Sequence, residues 1–134
     1  MISGFSKGYQ LLKEKQYLQL GAQAAGFIEK EMYDETTKTL RRSYREGVSE
    51  VHGFADDYAF LIQGLLDLYE ASLNSKWLLW ANELQETMDT LFWDEEGGSY
   101  FSTEKNDKSV LLRLKEGKFL LSSFFPLLFI LCTE

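Results

Sequence analysis

The sequence predicts a mainly α protein built of helical-hairpin repeats, each followed by a short β-hairpin excursion. Three observations carry that reading. The chain matches itself at a spacing of 60 residues, apolar residues recur at helical intervals, and Gly97-Gly98 sits in a polar turn flanked by aromatic residues.

The repeat sets the order of elements. Shifting the chain by 60 places Ile2 on Ile62, Gly4 on Gly64, Tyr9 on Tyr69, Leu18 on Leu78, Asp34 on Asp94 and Glu35 on Glu95, with no gap from residue 1 to 35. Similar residues fill the intervals: Phe5 with Leu65, Tyr17 with Trp77, Met32 with Phe92, Tyr33 with Trp93. The matching positions are mostly apolar or aromatic, as a shared packing unit requires.

In the second copy, Phe54, Tyr58, Leu61, Ile62, Leu65, Leu66, Leu68 and Tyr69 follow the i, i+3, i+4, i+7 rhythm of a helix. They cover more than one stripe, so this helix is expected to be packed on most sides. Asn74-Ser75 offers a turn and an N-cap. Trp77, Leu78, Ala81, Leu84, Met88, Leu91 and Phe92 then mark a second helix, with Glu83, Gln85, Glu86 and Asp89 on its wetter face. Trp93 to Ser102 reads as a short hairpin turning at Gly97-Gly98. The first copy repeats this order, with a helix from Tyr17 to Met32 and an excursion from Asp34 to Tyr44 that puts Leu40 in the place of Tyr100. By the same alignment the chain begins inside the first copy's first helix.

Composition narrows the function classes. The 134 residues are 45% hydrophobic and 15% aromatic, enough for one core. Lys+Arg 14 against Asp+Glu 21 gives a net charge of -7, which excludes the basic stripe that a nucleic-acid partner demands. One cysteine, Cys132, cannot form an internal disulfide, and with one histidine, His52, no metal site or catalytic triad is expected. No cofactor is predicted. The N-terminus lacks the pattern of a secretory signal, so cytoplasmic residence is the expectation for this chain. Phe119 to Leu131 is an uncharged apolar run, but it is shorter than the roughly 20 residues a membrane-spanning helix needs and is broken by Pro126, so membrane insertion is not expected.

The order Gly53-Phe54-Ala55-Asp56-Asp57-Tyr58-Ala59-Phe60, Gly64-Leu65-Leu66-Asp67-Leu68-Tyr69-Glu70-Ala71 and Leu91-Phe92-Trp93-Asp94-Glu95-Glu96-Gly97-Gly98-Ser99-Tyr100-Phe101 resembles the spermatogenesis-associated protein 20 family. The resemblance covers nearly all of Met1 to Glu116 and stops at Gly117. Members of that family are much longer, with a thioredoxin-like domain followed by a toroid of paired helices similar to six-hairpin glycosidase and sugar 2-epimerase folds. The resemblance therefore implies that residues 1–116 are a central slice of an incomplete (α/α) toroid and that residues 117–134 are a tail foreign to the fold. The resemblance does not extend to the thioredoxin-like domain, so no redox function is expected to carry over. Gly117-Lys118 fits a splice-donor sequence read in frame, with the tail as translated intron or an alternative exon. A secreted parent stays open.

The resemblance also points to candidate chemistry. Helix N-termini at one rim of such a toroid face its cavity, which makes Asp56, Asp57, Tyr58 and His52 candidate catalytic residues in the full-length parent, as acid and base on a sugar. Adjacent helical residues point about 100° apart, and acidic residues in a first turn equally cap free N–H groups and complement the helix dipole. Trp93 and Tyr100 are candidate substrate-binding residues, with packing between units as the other reading. The basic run Arg41-Arg42-Ser43-Tyr44-Arg45 reads as a solvated hairpin edge.

Three function classes follow. The chain is a truncated isoform or fragment without activity of its own, whose parent is carbohydrate-related and linked by name to sperm development. Alternatively it is a segment of a sugar-modifying epimerase or hydrolase, though it lacks the histidine pair typical of the epimerases. Alternatively it is an interaction module whose exposed helix faces bind another protein or the remaining part of the toroid.

Overall fold

Apolar residues spaced three and four apart along Met1 to Phe92 condense into helices whose inner faces meet. The computed structural model describes residues 1–47, 49–95 and 98–103. Among these lie α1 (Ile2–Leu12), α2 (Lys15–Glu31), β1 (Tyr33–Asp34), β2 (Thr39–Leu40), α3 (Ala55–Ser72), α4 (Ser75–Phe92), β3 (Trp93–Asp94) and β4 (Ser99–Tyr100). The expected mainly α fold with short β excursions is what the chain adopts. The apolar run from Phe119 to Leu131 and the boundary at Gly117 lie outside the described residues, as does Gly97.

The 60-residue repeat is structural down to single hydrogen bonds. Each first helix ends in a left-handed residue, Lys13 at φ 58° and Leu73 at φ 55°. Their N–H groups donate to Tyr9 O at 2.8 Å and Tyr69 O at 2.7 Å, so the same carbonyl of each final turn is satisfied. Each hairpin pairs in the same register, Tyr33 with Leu40 and Trp93 with Tyr100. Each is closed at its base by the same bond, Arg41 N–H to Met32 O at 2.8 Å and Phe101 N–H to Phe92 O at 2.9 Å. The tight turns share a left-handed residue, Lys38 and Gly98, both at φ 59°.

The helices form two layers. α1 packs on α2 and α3 on α4 within each unit, while α1 lies against α3 across the units. α3 is the pivot: Tyr58, Leu61, Ile62, Leu65 and Leu68 are buried along it, facing Trp77, Ala81, Leu84, Met88 and Phe92 of α4 and Ile2 of α1 in one continuous core. Ile2 packs where Gly64 leaves room, and a Cβ at Gly64 would stand 3.3 Å from that of Ile2. The residues of α3 thus bury more than one stripe, as an inner helix must.

Polar pairs stitch the two units. Asp67 of α3 is buried, and its carboxylate accepts from the Ser3 hydroxyl and lies 2.9 Å from Lys7 Nζ. This pairing holds the Lys7 ammonium above the usual lysine range. On the outer side, Glu83 of α4 accepts from the Tyr33 hydroxyl and, at 2.7 Å, from Lys38. Lys76 reaches Glu29 of α2 at 2.6 Å. Each bond joins one unit to the other.

Candidate functional site

The start of α3 is where the sequence places its candidate acids, and the chain folds both hairpins onto that end. Leu40 of β2 crosses above it, its carbonyl accepting from Gly53 N–H at 2.7 Å. Ser102, just past β4, accepts from Ala55 N–H at 3.1 Å. The helix N-terminus is therefore gripped between two loops rather than left open on all sides.

The four candidates take different positions there. Asp57 is a cap: its Oδ2 accepts from Phe54 N–H at 2.9 Å, which fixes the turn into the helix and places negative charge at the positive end of the dipole. Arg42 stands over it, with Nη1 3.8 Å from Asp57 Oδ2 and its guanidinium carbon 4.1 Å from the Phe54 ring centroid. The basic run thus clamps the helix start through Arg42. Tyr58 is 1% exposed, and its hydroxyl accepts from Leu40 N–H at 2.7 Å while its ring meets Phe92 edge-on. Asp56 is half-buried beside them. His52 is exposed on the strap leading into α3, where it forms an isolated bridge with Arg41.

The aromatic candidates belong to the second hairpin. Trp93 and Tyr100 are cross-strand partners with ring centroids 5.0 Å apart in an edge-to-face contact. Tyr100 is 6% exposed; its hydroxyl donates to Asp89 and accepts from Gln85 Nε2 at 3.3 Å. Burial first, and the bond to Asp89 second, push its phenol well above the ordinary value, so it stays protonated. Trp93 is half-buried. These rings face each other and the core.

A cleft of about 590 Å³ opens elsewhere, between the outer helices, where the end of α2 and the first hairpin meet the start of α4. Tyr33, Lys38, Lys76, Trp80 and Glu83 line it. Its charges are mutually engaged: Lys38 foremost, then Tyr33, holds Glu83 below the usual carboxylate range. Burial and Glu83 together raise the Tyr33 phenol far above its ordinary value. Trp80 stacks edge-on with Tyr33 at 5.7 Å, and its indole Nε1 is buried with no acceptor among the described residues. Sequence reading missed this cluster, because Glu83 of α4 lies 50 positions from Tyr33 and 45 from Lys38 of the first hairpin.

Among the described residues, no three His, Cys, Asp or Glu side chains could together hold a metal ion. No helix among them is long and apolar enough to cross a membrane.

Fold and site together define a helical-hairpin repeat protein whose two described units are joined by several polar pairs. Human spermatogenesis-associated protein 20 is 39% identical to this chain over 125 residues, 87% of the chain and 16% of the relative. The mouse protein of the same name is 40% identical over the same shares. An uncharacterized protein of Caenorhabditis elegans is 41% identical over 123 residues, again 16% of its length. The chain is thus similar to spermatogenesis-associated protein 20 over most of its own length, and it spans about one sixth of the length of these relatives. No family model matches it.

Proposed function

We propose that this chain is a structural segment of a longer helical toroid of the spermatogenesis-associated protein 20 kind, a truncated form without catalysis of its own. One observation carries the reading: the described residues form two copies of one hairpin unit, matching bond for bond at a 60-residue spacing, and the chain spans 16% of its relatives. Repeat units of this kind draw stability from their neighbours, and catalysis in a toroid needs an enclosed cavity. In this proposal residues 1–116 are the toroid segment, 117–134 are foreign to it, and the chain resides in the cytoplasm.

The same reading gives the longer proteins a carbohydrate-related activity and a part in sperm development, with Asp56, Asp57, Tyr58 and His52 at the cavity rim and Trp93 and Tyr100 near the substrate. The geometry favours a supporting role for most of these residues within this chain. Asp57 is a cap, and Tyr58 and Tyr100 have their hydroxyls in bonds to their own fold.

Calorimetric titration of the full chain with a panel of neutral monosaccharides, alongside hydrolysis and epimerisation assays, tests the proposal. The expected result is neither binding nor turnover. Saturable binding lost in Asp56→Asn would contradict it and favour the sugar-modifying enzyme.

A further inference from the structure

The exposed face of α1 carries the interaction pattern that α3 has already satisfied. Turning 100° per residue, Met1, Gly4, Leu11 and Leu12 fall within an arc of about 100°. Met1 is 93% exposed, Leu11 82% and Leu12 60%, and Gly4 is exposed with nothing within 4 Å of where its Cβ would stand. One repeat further on, the face is closed. Leu61 and Gly64, the counterparts of Met1 and Gly4, are buried, Gly64 receiving Ile2 of α1, and Ala71 and Ser72, the counterparts of Leu11 and Leu12, are half-buried. Glycine stands at both positions, and at Gly64 its use is visible: it lets a β-branched side chain of the neighbouring inner helix approach the backbone.

We propose that this face of α1 is the docking surface for a further hairpin unit of the same repeat. The inner helix of that unit lies parallel to α1, seats a β-branched side chain over Gly4 and sets an acidic side chain opposite Lys7. The geometry is that of α1 on α3 moved back by one unit. Ile2 would be replaced by its counterpart in the incoming unit, and the Lys7–Asp67 pair by an acid on Lys7. Chain of sufficient length exists in the relatives, since the matched region is 16% of them. The inference rests on the segment reading above and adds to it where, and through which contacts, the next unit attaches.

The test is a tandem chain in which residues 1–60 stand once more ahead of Met1, with Lys7→Glu in the added unit to supply the acid. The repeat spacing makes Phe54 to Phe60 of the added unit run directly into Met1 to Leu12, so that one continuous inner helix forms. The tandem is expected to melt about 5 °C above the 134-residue chain. Gly4→Leu at the original Gly4 is expected to abolish that gain, yet to leave the Tm of the 134-residue chain unchanged or slightly raised, because its space is open and leucine favours helix. A tandem with no gain in Tm, or one indifferent to Gly4→Leu, overturns the proposal, whereas sugar turnover by the 134-residue chain would overturn only the segment reading. Sedimentation tests the competing occupant: dimers of the 134-residue chain that vanish in Gly4→Leu would assign the face to a second copy and overturn the proposal.

Discussion

Tyr58 shows how a residue with the look of a catalyst is held by its fold. Its hydroxyl accepts from the Leu40 N–H beneath the first hairpin, and its ring is wholly enclosed. Tyr58→Phe leaves a buried N–H without that acceptor and is expected to destabilise the chain by about 1–2 kcal/mol, read as a lower midpoint in urea. Glu83 governs the acid side of stability. Its folded pKa lies below the ordinary 4.5, so the unfolded chain takes up the proton first. The stabilisation is present above the unfolded value and is lost as pH falls through the folded one. Urea midpoints should fall less steeply below pH 4.5 in Glu83→Gln than in the parent sequence, and only modestly so for a half-exposed pair. Asp67 was not legible in the sequence as a buried group, since its partners Ser3 and Lys7 lie on another helix some 60 positions away. Asp57 was legible as a cap because its partner is three residues distant.

At the scale of elements, the helices were readable because their apolar spacing is strong, and the hairpins because one copy explains the other. Gly98 betrays the tight turn of the second hairpin; Lys38 takes the same φ of 59° in the first and hides it. The helix ends were hidden for a related reason. Lys13 and Leu73 adopt the left-handed conformation that glycine favours, so no glycine marks the stop. Leu73 is 80% exposed and has little packing to lose. Leu73→Gly is therefore expected to raise stability by about 0.5–1 kcal/mol through relief of the left-handed backbone, with an unchanged helical spectrum. A loss of stability would mean that Leu73 has contacts which outweigh that relief.

At the scale of the molecule, the described residues form two units sharing one core through α3, with apolar side chains left open on α1. What the sequence could not show is that this openness is patterned. The repeat gives residue correspondences, but only the packing of Ile2 on Gly64 shows which face of an inner helix its neighbour occupies. Arrays of few units are marginal because each interface contributes a large share of the total. The central claim, that this chain is a segment and not a self-sufficient domain, is tested most directly by its thermal melt, followed by circular dichroism at several concentrations with sedimentation alongside. The account predicts a helical spectrum that fades over a broad range, or association that grows with concentration. A sharp, concentration-independent transition in a monomer would contradict it.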